Sequence, residues 1–243
     1  MTTFTICIPC VDKHIEQMEK MLDSLKHHTI KPNKVITSIS PRYLNLNLYK
    51  EKERLEKKFP FLLCIVQDKV TGPGENLNFI FNLVDTDYAT IWGADDFFHP
   101  QYLEIINYII INHNPNIIVH TWDYHKKNKK LSNPDLKYNI NVFDKINIEN
   151  IKTYNNFYLR PESTGRNTYV DRFCEKNIGF LPEIHYGMQT FKTYIVKENK
   201  YKVGPDYDYR SDSLYLVDMY KKYGKIQVIY ENLIQYFQSN TYG

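Results

Sequence analysis

Little in this sequence is extreme, and each shortage narrows what the chain can be. Net charge is small: 31 Lys and Arg stand against 28 Asp and Glu, formally +3. Nucleic-acid binders usually carry a basic stripe. The only dense basic run here is Lys126-Lys127-Asn128-Lys129-Lys130, which has the character of a solvated loop face. No nucleic-acid partner is expected. No stretch approaches the ~20 apolar residues of a membrane span; Tyr108–Ile111 and Ile117–Val119 are core-sized. No N-terminal apolar segment resembles a signal peptide. Although the chain is rich in Asn, it has no Asn-x-Ser/Thr sequon. Cysteines number four (Cys7, Cys10, Cys64 and Cys174), too few for a disulfide scaffold in 243 residues. These absences together indicate a reducing, cytosolic compartment, with peripheral membrane contact left open.

What is present is an alternation of strand and helix patterns. Strands are expected at Phe4–Pro9, Lys34–Ser40, Phe61–Val66, Tyr88–Trp92 and Asn116–Thr121. Between them, helical periodicity marks Lys13–His28 with Asp12 as N-cap and Leu46–Lys58 as a charged, solvent-facing helix. A loop at Gly72-Pro73-Gly74 precedes a helix through Leu77, Ile80, Phe81 and Val84. Pro100 opens a further helix, Gln101–Asn112. This order predicts an α/β fold: a Rossmann-like, mostly parallel sheet flanked by helices. The second half is less regular. It offers a strand or bend near His185–Phe191, a helix Ser213–Tyr223 stopped by Gly224, and a strand Lys225–Tyr230. With no obvious linker, the reading is one domain, with residues 1–124 as a nucleotide half and 125–243 as a variable half.

Open parallel sheets bind ligands beyond the carboxyl ends of their strands. Those ends carry Pro9-Cys10-Val11-Asp12, Ser38-Ile39-Ser40, Gln67-Asp68 and the run IWGADDFFHP, Ile91 to Pro100. Adjacent carboxylates at Asp95 and Asp96 repel one another, and a hard divalent cation such as Mg²⁺ or Mn²⁺ would relieve them. The plainer reading is that one of them caps the helix opened by Pro100.

The segment TGPGENLNFIFNLVDTDYATIWGADDFFHPQYLEII, Thr71 to Ile106, resembles the donor segment of glycosyltransferase family 2, whose members have the GT-A fold. FTICIPCVDKHIEQMEKMLDSL is similar to that family's first strand and helix. HYGMQTFK (His185–Lys192) and RSDSLYLVDMYKKYGK (Arg210–Lys225) are similar to its acceptor-side segment. The resemblance implies an inverting transfer of sugar from a nucleotide diphosphate sugar to a hydroxyl of a glycan or other acceptor. It implies donor contacts from Pro9, Val11, Asp12, Ser40, Asp68, Asn78, Ala94 and Asp95. A cation (Mn²⁺ or Mg²⁺) would sit on Asp95 and Asp96, Asp212 would act as base, and the acceptor would meet Trp122, His185, Tyr186 and Gly187. Two departures from the family pattern stand out. Gly93 replaces the first Asp of the Asp-x-Asp element, and Ser38-Ile39-Ser40-Pro41 replaces an Asp-Asp-Gly-Ser. The first departure keeps open a binding module that no longer catalyses. A nucleotidyl transferase has thin support in Asp12-Lys13.

Other readings compete locally. Cys7-x-x-Cys10 between a strand and a helix is how a thioredoxin-like redox site begins, although Cys7 falls mid-strand, where a thiol packs as a small apolar group. Trp92, Trp122, Tyr124 and Tyr186 are candidate faces for a sugar ring, each with a core alternative. His99, His120, His125 and His185 lack ligand spacing to Asp95-Asp96 and read as satisfied polar residues.

Overall fold

A computed structural model of the 243-residue chain describes residues 2–120, 143–154, 186–203, 211–229, 231 and 233–235. Its centre is an eight-stranded sheet in the order β3-β2-β1-β4-β8-β6-β9-β7. The strands are β1 (Phe4–Val11), β2 (Lys34–Ser40), β3 (Leu62–Val66), β4 (Tyr88–Ile91), β6 (Ile117–His120), β7 (Thr153–Tyr154), β8 (Gln189–Lys192) and β9 (Ile226–Ile229). A separate two-stranded ribbon pairs β5 (Phe97–Phe98) with β10 (Ile234–Gln235). Helices α1 (Ile15–Ser24), α2 (Leu48–Lys58), α3 (Pro73–Asn82), α4 (Tyr102–His113), α5 (Thr193–Glu198) and α6 (Ser211–Tyr223) complete the fold. The mostly parallel sheet with flanking helices is the expected architecture.

Strands β1, β2 and β4 form because short apolar runs are buried on both faces, as parallel sheets require, whereas β3, at the sheet edge, is only partly buried. β8 was read as a strand or bend. It is a strand, and it runs antiparallel between β4 and β6, with Thr190 opposite both Thr90 and Ile118. It therefore joins the two halves of the chain into one sheet.

Three local expectations are corrected. The Gly72-Pro73-Gly74 stretch is the start of α3 rather than a free loop, with Gly72 as N-cap and Pro73 in the first turn. Pro fits there because the first-turn N–H has no helical partner. Asp12 does not cap a helix: a 3-10 turn covers Asp12–His14, α1 begins at Ile15, and neither cap makes a side-chain bond. α2 is charged but not wholly solvent-facing, since Leu48 and Leu55 are buried, while Arg54 and Lys58 reach Glu19 on α1.

Trp92 is core rather than a sugar platform. It is 0% exposed and stacks on Phe98 at 3.9 Å and 6°, with Tyr102 edge-on to both rings. The redox reading fails on geometry. Cys7 and Cys10 both lie within β1, three residues apart, so their side chains leave opposite faces of the sheet. Burial raises both thiols well above the usual range, the reverse of what a reactive thiolate needs.

His28 packs its ring against Trp92 at 5.5 Å and is 4% exposed. Among the described residues neither of its ring nitrogens finds a hydrogen-bond partner. Burial first, then the charges of Lys31, His99 and His27, push its pKa down from 6.5 to about 3. A histidine held neutral in the folded state stabilises the fold fully above pH 6.5, and that contribution is lost as pH falls from there towards about 3. Between pH 6.5 and about pH 5 stability is expected to drop by about 2 kcal/mol. Urea midpoints across that range should show the slope, and His28→Phe should flatten it. A slope unchanged in His28→Phe would assign the titration elsewhere.

Candidate functional site

The carboxyl ends of β1, β2, β3 and β4 lie side by side, because all four strands are parallel. The 3-10 turn after β1 reaches in three directions from three consecutive residues. Asp12 is 1% exposed, and its carboxylate accepts the backbone amides of Arg42, Tyr43 and Leu44 at 3.1, 2.9 and 2.7 Å. It also accepts the amide of Lys13 at 2.9 Å. The ammonium of Lys13 stands 3.9 Å from the centre of the Tyr43 ring. His14 Nδ1 lies 3.9 Å from Asp95 Oδ2. Burial lowers the pKa of His14, while Asp95 pulls the other way.

Asp12 is thus the residue that folds the loop after β2. Asp12→Ala would strip charge-assisted acceptors from four amides. Because the loop can partly rehydrate, a loss of about 3 kcal/mol is expected. Chemical denaturation would measure it, and a change within about 0.5 kcal/mol would contradict the clamp.

Below this turn a buried polar network ties the strand ends to α3. Asn76 Oδ1 accepts from Ser38 Oγ at 3.0 Å and from Thr71 Oγ1 at 2.7 Å, and its amide donates to the carbonyl of Cys10 at 3.2 Å. Gln67 Nε2 donates to Ser38 Oγ at 2.8 Å, and the Thr71 amide donates to Ser40 Oγ at 2.8 Å. The sequence reading selected Asn78. Its side chain instead bonds the backbone of Tyr201 in both directions, at 2.8 and 3.0 Å, away from this network. Asp68, also selected, accepts from Tyr49 Oη at 2.9 Å.

At the end of β4 the chain turns at Gly93, with the Asp96 amide donating back to the Gly93 carbonyl at 3.4 Å. A Cβ at Gly93 would collide with Asp96 Oδ2 and lie 3.6 Å from Asp95 Oδ1. The Asp96 carboxylate thus fills the volume that a side chain at 93 would need, and the Asp95 carboxylate borders it. Gly187 packs against the same corner: a Cβ there would sit 3.2 Å from the Gly93 nitrogen. Ala94 is buried beside them.

Two oxygen-bearing carboxylates converging on one volume suit a hard divalent cation. Among the described residues no group of three or more His, Cys, Asp or Glu is assembled to hold an ion alone. A cation held by these two carboxylates would have to draw its remaining oxygens from a ligand, as Mg²⁺ does from phosphates.

Among the other selected residues, Pro9 and Val11 lie in β1 and Ser40 ends β2, all at the same edge. His120 Nε2 is within 3.2 Å of the Gly187 carbonyl, and His99 Nε2 is within 2.9 Å of the Asp144 carbonyl. Both are engaged with backbone, in line with their reading as satisfied polar residues. Trp122, Tyr124, His125 and His185 lie outside the described residues, as do the side chains of Tyr186 and Asp212. The backbone of Asp212 is in the first turn of α6, not ahead of the helix.

Sequence reasoning missed His14, Asn76 and Tyr43. His14 follows Asp12 directly at a strand end, so the strand-end rule applied there would have included it. Nothing in the spacing distinguishes Asn76 from Asn78.

The profile described as Glycosyl transferase family 2 matches residues 5–174, which contain the carboxyl ends of β1, β2, β3 and β4. The chain belongs to glycosyl transferase family 2. Solved structures agree with this member of the family in fold. The crystal structure of S. aureus TarS 1-349 in complex with UDP-GlcNAc superposes with a TM-score of 0.59 at 12% identity, covering 96% of this chain and 57% of that one. The mannosyltransferase PcManGT from Pyrobaculum calidifontis, in complex with GDP-Man and Mn²⁺, gives 0.59 at 12%, covering 95% and 57%. Against the longer S. aureus TarS structure this chain covers 36% of the length. These likenesses establish the GT-A fold. No curated protein sequence matches the chain. Among the described residues no helix is long and apolar enough to cross a membrane.

Proposed function

We propose that this family 2 protein transfers a sugar from a nucleotide diphosphate sugar to an acceptor hydroxyl, with inversion at the sugar carbon. The observation that carries the proposal is the corner at Gly93, where the carboxylates of Asp95 and Asp96 border one volume at the ligand-binding edge of the sheet. Two structural neighbours, solved in complex with UDP-GlcNAc and with GDP-Man, support a donor of this class.

Asp95 and Asp96 would hold Mn²⁺ or Mg²⁺. When bound, the ion supplies positive charge against a departing diphosphate. His14, lying against Asp95, orients that carboxylate. The acceptor would be met by Gly187, which packs on Gly93, and, as the family resemblance implies, by Trp122, His185 and Tyr186. Asp212 takes the proton of the acceptor hydroxyl while that oxygen attacks the anomeric carbon. The new C–O bond forms as the bond to the diphosphate breaks, the leaving group keeps the electron pair, and the sugar inverts in one displacement.

A thermal-shift panel of UDP, GDP, CMP and dTDP compounds, each with and without Mn²⁺, tests the reading. One class is expected to raise the midpoint, and more so with the ion. Slow hydrolysis of the matching nucleotide sugar with Mn²⁺, abolished by chelator, would distinguish an enzyme from a module that only binds. No shift with any member would refute the proposal.

A further inference from the structure

Asn78 stands outside the network of Asn76 and holds a different part of the chain. Its Oδ1 accepts the Tyr201 amide at 2.8 Å, and its Nδ2 donates to the Tyr201 carbonyl at 3.0 Å. A side-chain amide that takes both backbone groups of one residue fixes that residue as a neighbouring strand would. One turn further along α3, Asn82 Oδ1 accepts from Lys200 Nζ at 2.6 Å. The strip of residues 199–202 is therefore tied to α3.

The same strip is tied to α6. The Tyr201 ring stacks on Tyr215 at 3.9 Å and 21°, and Phe81 of α3 lies 6.0 and 6.4 Å from the two rings. Tyr215 Oη donates to the Asn199 carbonyl at 3.1 Å. The Asn199 side chain bonds Tyr223 Oη and Lys222 Nζ. Tyr201 and Tyr215 are both buried, so the joint is packed as well as hydrogen-bonded. Tyr215 follows Asp212 by less than one turn of α6. At the other end, Asn76 fixes α3 to Ser38 of β2 and the Cys10 carbonyl of β1. A packed and hydrogen-bonded path thus runs from the strand ends through α3, Asn78, Tyr201 and Tyr215 to the helix that carries Asp212.

We infer that Asn78 is a positioning residue for Asp212: by clasping Tyr201 it sets where the first turn of α6 stands relative to the donor-binding edge. The inference rests on the role proposed above for Asp212. Position matters at this level because misplacing a reacting group by about 1 Å costs about 10²-fold in rate.

The test is a double-mutant cycle on Asn78→Ala and Asp212→Asn in the full chain. The rate measured is Mn²⁺-dependent hydrolysis of the nucleotide sugar of the class selected by the panel, at saturating donor. Water there stands in the place of the acceptor: its oxygen bonds to the anomeric carbon, its proton goes to Asp212, and the diphosphate leaves with the electron pair. Asn78→Ala is expected to slow hydrolysis about 10- to 100-fold. Calorimetric binding of the nucleoside diphosphate with Mn²⁺ should stay within about twofold of wild type, since Asn78 holds Tyr201 and not the strand ends. With Asp212→Asn already present, Asn78→Ala should slow the reaction less than about twofold further, because there is no base left to misplace. Should Asn78→Ala give no folded protein, Asn78→Asp carries the same comparison: it keeps the acceptor for the Tyr201 amide and loses only the donor. Losses that multiply in the double variant would overturn the inference, as expected of a purely structural residue. A full rate in Asn78→Ala would overturn it and leave Asp212 as base. Lost nucleotide binding in Asn78→Ala would overturn it by returning Asn78 to the donor site. A full rate in Asp212→Asn would remove the base and this inference together, and a wild type that binds nucleotide without hydrolysing its sugar would remove the enzyme reading and the inference.

Discussion

Replacing Asp212 by Asn is expected to lower the rate of sugar transfer about 10²–10⁴-fold, the range associated with loss of a general base. Nucleotide binding should stay at wild-type strength. The reasoning is chemical. An acceptor hydroxyl becomes acidic only as its oxygen bonds to the anomeric carbon, so the proton needs a waiting carboxylate, and an amide of the same shape cannot take it. Asp212 lies in the first turn of α6, where a negative charge is favoured by the helix dipole. That placement alone would also suit a purely structural Asp, and kinetics separates the two. A structural role predicts a lower thermal midpoint with kcat retained; the catalytic role predicts the reverse. Full activity in Asp212→Asn would move the base to a neighbouring carboxylate, and Asp206 and Asp208 are the nearest in sequence.

Asp95→Asn is expected to act on a different step. The loss of its charge should weaken Mn²⁺-dependent nucleotide binding and reduce transfer by about 10²–10³-fold, comparable to removing a preorganised electrostatic group. The measurement is the Mn²⁺-dependent part of the thermal shift, set beside kcat/KM. Asp96→Asn should give a smaller but parallel effect, because its carboxylate occupies the volume next to Gly93 while Asp95 borders it. The same geometry makes Gly93→Asp a poor repair of the departure from the family pattern: the new side chain would collide with Asp96. If Asp95→Asn leaves the Mn²⁺ dependence untouched, the cation binds elsewhere and the proposed chemistry at this corner fails.

The β-α alternation was legible because β1 to β4 are short apolar runs between helical periods, a pattern set by burial on both faces in β1, β2 and β4. β2 was read to the residue, and β1, β3, β4 and β6 to within two residues at either end. β8 was ambiguous for a physical reason. Its four residues, QTFK, carry no parallel-strand signature, and its place depends on edges provided by β4 and β6, far away in sequence. The site was legible as a location rather than as a set of contacts. Strand ends pointed to Asp12, Ser40 and Asp95. Nothing in composition or spacing, however, shows that Asp12 is consumed by three amides of a loop thirty residues away. Asn76 and Asn78 stand two apart on one helix, so they point in different directions. Choosing between them requires the partners, Ser38 and Thr71 for one and Tyr201 for the other.

The reversed strand β8 also bears on how the molecule is made. Thr190 Oγ1 donates to Thr90 Oγ1 at 2.9 Å across 100 residues of chain. As the polypeptide leaves the ribosome, β1 to β4 can assemble early, but β4 keeps a raw edge and β6 has no bridge to it until residues 189–192 are synthesised. The interior of the sheet is thus closed late, by an insertion that must first overcome a long loop's closure entropy. Until then the edge of β4 and both edges of β6 are open to neighbouring chains, and a nascent fragment halted before β8 would be prone to aggregate.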